Sequence, residues 1–215
     1  MPPIISIVDS EQDVRRSICW LLTRAGRKVQ AFATPAEFLE AYRPEKPGCL
    51  VFEMGMPQMS GLELRQHVAA RGGDQPVILL SGSGNVSVAV EALHQGAFDF
   101  IEKPFDGARL VDTIERACIL DARNREQRAC RDALTGRLAR LTPREREVLE
   151  MVLEGRSTRE IAQRMNISEK TVHVHRSNIA GKMHVDTVAQ VVRVVLKNQV
   201  GFSSPAPAGT PVGSN

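Results

Sequence analysis

The sequence predicts an α/β, doubly wound, five-stranded parallel sheet followed by an all-α helix-turn-helix domain. Three observations carry that expectation. Over residues 1 to 120, short apolar runs alternate with amphipathic stretches, the pattern of βα units wound on a parallel sheet. From Leu141 onward the apolar spacing is helical, and helix-start signals recur at short intervals. Charge divides the same way, with a net −4 over residues 1 to 121 and a net +7 over residues 122 to 215.

The predicted strands are Ile4–Val8, Lys28–Phe32, Cys49–Glu53, Val77–Ser81 and Phe98–Glu102. Cys49–Glu53 and Val77–Ser81 are continuously apolar up to their last residue, as expected of strands covered on both faces. Between and after the strands, helical patterns run near Asp13–Ala25, Pro35–Tyr42, Leu62–Ala70, Val86–Gln95 and Arg109–Leu120. Thr34-Pro35 and Ser60 are starts, and Gly26, Gly72-Gly73 and Gly96 are stops. In such a sheet the ligand site lies at the carboxyl ends of the strands, where Asp9, Glu53, Ser81 and Lys103 all fall.

Residues 121 to 140 are charged and short of large apolar side chains, and read as a helical extension and linker, not as a packed element. Residues 141 to 198 form the second domain. Thr142-Pro143-Arg144-Glu145 joins an N-cap threonine, a proline at the first helical position and a capping-box glutamate. Ser157-Thr158-Arg159-Glu160 repeats the box, and Ser168 caps a third helix after the short Asn166-Ile167 turn. Two short helices joined by a tight turn describe a helix-turn-helix, whose second helix enters the major groove of duplex DNA. Residues 199 to 215, rich in Pro, Gly and Ser, are expected to be a disordered tail.

Helical geometry divides the faces of that third helix. Val172, His175, Ile179 and Met183 form one stripe facing the other helices, which makes His175 a structural residue. Lys170, His173, Val174, Ser177 and Gly181 lie opposite, within reach of base edges, beside Thr171. Arg176 and Lys182 lie at the margins and suit phosphate contacts, which position without specifying. The valines of the last helix (Val188, Val191, Val192, Val195) divide between core and a two-fold contact.

These strings carry a resemblance. Met56-Pro57-Gln58-Met59-Ser60-Gly61-Leu62-Glu63-Leu64, with the strand before it, resembles the acceptor loop of two-component receiver domains. Leu141 to Leu149, Glu160-Ile161-Ala162 and Ile167 to Ile179 resemble the LuxR-type DNA-binding domain. Together they are similar to FixJ/NarL-type response regulators over residues 3 to 198. The resemblance implies an acceptor at Glu53, an acidic pocket at Asp9, Ser10 and Glu11, and phosphate-site or switch residues at Ser81, Phe100 and Lys103. Two positions depart from the pattern: Glu53 stands for the acceptor aspartate, and Ser10 for the second of two adjacent aspartates. Phosphoryl transfer needs its nucleophile held in line with the donor, and a glutamate displaces the carboxylate by about an ångström or more. No cofactor is expected beyond weak magnesium binding at Asp9, Glu11 and Glu53, weakened or absent without the second aspartate. His173 replaces the lysine common at its position in the family.

The implied function is sequence-specific transcription regulation, with duplex DNA at paired half-sites and a second copy of the chain as partners. A histidine kinase or another regulatory protein is the expected partner of the receiver. Three readings of that receiver stay open: independent of aspartyl phosphate, conventionally phosphorylated, or repurposed for another ligand or protein. Under the first, Glu53 could mimic phosphorylation, though it carries about one negative charge where a phosphoryl group brings nearly two. No nucleophile–base–acid set or metal motif points to an enzyme. No apolar run approaches the roughly 20 residues that span a bilayer, and the start of the chain shows no export signal. The four cysteines lack metal-ligand or CxxC spacing, consistent with reduced thiols in the cytoplasm.

Overall fold

The computed structural model describes residues 1–82 and 86–198, without the side chains of Val86 and Val88. The tail at 199–215, expected to be disordered, lies outside the described residues. The chain divides into two compact units, Met1–Arg125 and Glu126–Asn215.

The first unit is built on β1 (Ile4–Val8), β2 (Lys28–Phe32), β3 (Gly48–Glu53), β4 (Val77–Ser81) and β5 (Asp99–Glu102). All pairings are parallel, in the order β2-β1-β3-β4-β5. Between the strands run α1 (Gln12–Arg24), α2 (Pro35–Ala41), α3 (Gly61–Ala70) and α4 (Val86–His94), and α5 (Gly107–Leu138) follows β5. Alternation along the strands supplies two cores. Ile5, Ile7, Cys49, Val51, Ile78 and Leu80 meet Ile18 and Leu22 of α1 and Leu110, Ile114 and Ala117 of α5. Val8, Leu50, Phe52, Val77 and Leu79 meet Phe38 of α2, Leu64 and Val68 of α3 and Ala92 of α4 on the other face. Both faces of β3 and β4 are therefore covered, the cause of their unbroken apolar sequence.

Register then places the carboxyl-end residues. Val8 pairs with Phe52, so Asp9 and Glu53 emerge side by side, and Ser81 pairs with Glu102, next to Lys103.

α5 runs through residues 121 to 138 as the expected helical extension, but the stretch is not an unpacked linker: each of its buried residues packs in the unit to which it belongs. Asp121 is buried in the first unit. Leu134 and Leu138, one turn apart, are buried in the core of the second. Two leucines at that spacing suffice to bury a helix face even in a stretch otherwise full of charge.

The second unit adds α6 (Pro143–Leu153), α7 (Thr158–Met165), α8 (Glu169–Met183) and α9 (Val188–Lys197). The Thr142/Glu145 and Ser157/Glu160 capping boxes are both formed, and Ser168 and Thr187 cap α8 and α9. Each such cap contributes about 1 kcal/mol. α7 turns into α8 through Asn166, in the left-handed conformation at φ 53°. Val148, Leu149, Ile161, Val172, Ile179, Met183, Val188, Val191 and Val195 close the core.

Candidate acceptor pocket and nucleic-acid interface

At the carboxyl ends of β1, β3 and β5, Asp9, Glu11 and Glu53 bring a carboxylate oxygen each within 4.8 Å of one another. The ammonium of Lys103 stands among them. Its Nζ lies 2.8 Å from Asp9 Oδ2, 2.9 Å from Glu11 Oε1 and 3.1 Å from Glu53 Oε1. The Asp9 contact is an ion pair out of hydrogen-bond alignment, whereas the other two are hydrogen bonds. The second Glu53 oxygen, Oε2, accepts from the Ser10 N–H at 2.8 Å and the Ser10 hydroxyl at 2.6 Å. Asp9 Oδ1 accepts from the Glu11 N–H at 2.9 Å. Arg15, which the sequence reading passed over, donates to the Asp9 and Ser10 carbonyls at 2.7 and 3.0 Å and fixes that loop.

Electrostatics follow from these contacts. Burial pushes the Asp9 carboxyl up, and Lys103 and the Glu11 N–H only partly offset it. For Glu53 burial also works upward, but the Ser10 hydroxyl and N–H, then Lys103, outweigh it and hold the carboxyl below its ordinary value. Burial works to lower Lys103, and the three carboxylates overcome it, so the ammonium stays charged. Ser81 is buried at the end of β4 and Phe100 half-buried beside the α2–α4 core.

On the second unit, Lys170, Thr171, His173, Val174 and Ser177 are exposed on one face of α8, as the helical stripe predicts. Val174 has half its surface free. Val172, Ile179 and Met183 are buried on the opposite face, but His175 is only half-buried, with its Nδ1 enclosed and lacking a hydrogen-bond partner.

Two of the expected phosphate-contacting residues are engaged inside the unit. Lys182 Nζ lies 2.6 Å from Oε2 of buried Glu145, at the capping box of α6. Arg176 Nη1 donates to Thr158 Oγ1 at 2.8 Å, tying α8 to the first turn of α7. Neither partner was legible, because each lies far away in sequence on another helix. In α9, Val188, Val191 and Val195 belong to the core, whereas Val192 is half-buried and Leu196 is exposed one turn beyond it.

A doubly wound receiver-type sheet with acidic residues at its carboxyl edge, followed by a helix-turn-helix, defines the two-domain response regulators that bind DNA. Comparison with known proteins agrees. Residues 5–115 match the model of the response regulator receiver domain, and residues 139–195 that of the bacterial regulatory proteins of the luxR family. The transcriptional regulatory protein FixJ of Azorhizobium caulinodans is 37% identical over 207 residues, 96% of this chain and 97% of that protein. The response regulator TodT of Pseudomonas putida is 35% identical over 191 residues, 89% and 84% of the two chains. The solved structure of the response regulator StyR is 38% identical, with a TM-score of 0.82 over 92% of this chain and all of that one. Full-length FixJ from B. japonicum is 34% identical, with a TM-score of 0.57 over 92% of this chain and 97% of that one. The chain belongs to this family: it is a DNA-binding response regulator of the FixJ/LuxR type.

Proposed function

We propose that this regulator binds specific promoter sequences without being switched by aspartyl phosphate. The observation that carries the reading is the engagement of Glu53. Both of its oxygens are already bonded, one to Lys103 and one to Ser10. A carboxylate held this way is both longer than the acceptor the chemistry requires and turned into internal contacts.

The same arrangement makes a poor magnesium site. The ion demands near-octahedral oxygens around one centre. The point common to Asp9, Glu11 and Glu53 is where Lys103 Nζ lies, and Ser10 supplies a hydroxyl that bonds Glu53 in place of a second aspartate.

Base reading falls to Lys170, Thr171, His173, Val174 and Ser177, while Arg176 and Lys182, bonded to Thr158 and Glu145, hold α8 against α7 and α6. The regulator acts in the cytoplasm as a homodimer on paired half-sites, through the Val192 and Leu196 side of α9, and catalyses no reaction. Among the described residues no helix is long and apolar enough to cross a membrane. A histidine kinase or another protein meets the receiver.

The test takes the full chain and an operator selected from random duplex DNA. Affinity is measured with and without acetyl phosphate and magnesium. Equal affinity is expected. A donor-dependent gain of tenfold or more, about 1.4 kcal/mol, would restore the conventional, phosphorylation-activated reading.

A further inference from the structure

Helix α5 is fastened to the start of β3 by one stripe of its surface. Buried Asp121 accepts a hydrogen bond from the Gly48 N–H at 2.9 Å. Arg125, one turn on, bonds Asp121 at 2.9 and 3.0 Å. It also reaches the carbonyls of Pro44, Glu45 and Lys46 at 3.1, 2.9 and 2.6 Å. Gly48 is required there by its packing against β1. Its φ is +149°, and a Cβ there would meet the Ile4 carbonyl oxygen at 1.8 Å.

Cys118 lies on the same stripe, one turn before Asp121, and Cys49 follows Gly48 in the strand. The two sulfurs are consequently neighbours in the core between the sheet and helices α1 and α5, and both are free thiols. Nothing in the sequence announces the pair, because it joins a strand to a helix far along the chain.

We propose that Cys49 and Cys118 form a modifiable dithiol, which a peroxide closes to a disulfide between β3 and α5. Exposure separates the two roles. Cys49 is fully enclosed, and its contact with Cys118, then burial, push its thiol well above the ordinary range. Cys118 is half-buried and so within reach of a small oxidant. The Cys49 contact lowers it against burial and the Asp121 carboxylate, and the smaller pull of the Arg27 guanidinium is opposed by its partner Glu115.

Cys118 is thus the attacking group and Cys49 the resolving one. The Cys118 thiolate attacks one peroxide oxygen and the O–O bond breaks. The other oxygen leaves as water after taking up a proton, and Cys118 becomes a sulfenic acid. The Cys49 sulfur then attacks Cys118, displacing hydroxide, which departs as a second water with the Cys49 proton. In sum two thiols are oxidised to one disulfide and one hydrogen peroxide is reduced to two waters. The product makes covalent the attachment that Asp121 and Arg125 already provide.

The experiment oxidises the native full-length protein with hydrogen peroxide, removes the peroxide with catalase, alkylates the remaining thiols in denaturant, and maps the digest by mass without reduction. Exposed Cys130 and half-buried Cys19 serve as internal comparisons. The expected result is a cross-linked peptide pair containing Cys49 and Cys118, lacking two hydrogens, formed at a rate independent of protein concentration and reversed by dithiothreitol. Cys118→Ser should abolish the cross-link and leave Cys49 alkylatable, and Cys49→Ala should leave Cys118 as a sulfenic acid trapped by a cyclic diketone. The proposal is overturned if Cys130 is fully oxidised while Cys49 and Cys118 both remain alkylatable. It is equally overturned if the cross-link forms only after denaturant is added, or if Cys49 still oxidises in Cys118→Ser.

Discussion

Replacing Lys182 by methionine separates what the structure says of this residue from what the sequence suggested. Methionine keeps much of the apolar stem and removes the ammonium, leaving Glu145 without its ion-pair partner. Glu145 has 5% of its side chain exposed and Lys182 34%. Breaking a fully buried pair costs about 3–5 kcal/mol, and an exposed pair is worth about 0–1 kcal/mol. This pair lies between, and Glu145 keeps its 2.8 Å hydrogen bond from the Thr142 N–H. The expected loss is about 2 kcal/mol, a fall of roughly 10 °C in the melting of the second unit.

The pH dependence carries a sign. Burial works to raise Glu145, but Lys182 and the Thr142 bonds outweigh it and hold the carboxyl below its ordinary value of 4.5. A carboxyl so lowered contributes stability that is full above the ordinary value and is lost as pH falls through the lowered one. The gap between wild type and Lys182→Met should therefore be complete at neutral pH and close on acidification below 4.5. Calorimetry of the full chain reads both effects, and Glu145→Gln in the Lys182→Met background should recover part of the loss. An unchanged melting temperature, with the salt dependence of DNA binding reduced by about one counterion, would refute the pairing and return Lys182 to the phosphates.

Other substitutions check separate elements. His173→Ala should redistribute preference among selected duplexes while leaving melting unchanged, since the side chain is exposed; unchanged preference in a competition assay would remove it from the reading face. Asp121→Ala should destabilise the first unit by about 2–3 kcal/mol, because it leaves the Gly48 N–H and the Arg125 guanidinium without their shared acceptor. Urea unfolding measures that loss, and a change below about 0.5 kcal/mol would show that the attachment of α5 does not depend on it.

Much of this architecture can be read from residue order because its causes are local. Apolar runs ending in polar residues mark the strands, since β3 and β4 are covered on both faces. Thr142, Ser157 and Ser168 mark helix starts because each bonds a backbone N–H three residues on. Family strings located Glu53, Ser10 and Lys103, and the reach of Glu53 toward Lys103 could be anticipated, but its bonds to Ser10 could not. The sharing of Glu53 between Ser10 and Lys103 depends on the register of β1 against β3 and on the reach of one extra methylene. Lys182 with Glu145 and Cys49 with Cys118 were equally hidden, being pairs made by tertiary packing. The helical extension of α5 through residues 121 to 138 was legible, but its packing was not, because the apolar signal there is thin, resting on Leu134 and Leu138 amid charged neighbours.

The central claim, that this receiver is not worked by aspartyl phosphate, is tested most directly by repairing the pocket. Wild type, Glu53→Asp, Ser10→Asp and the double variant are incubated with one phosphodonor and one magnesium concentration, and the phosphorylated fraction is read by intact mass. Wild type should remain unmodified. Glu53→Asp alone should gain little, because Ser10 still supplies no carboxylate, and Ser10→Asp alone should leave the longer acceptor in place. The double variant should be phosphorylated well beyond the sum of the two single gains, as residues acting together require. Substantial phosphorylation of the wild type, or of Glu53→Asp alone, would contradict the account.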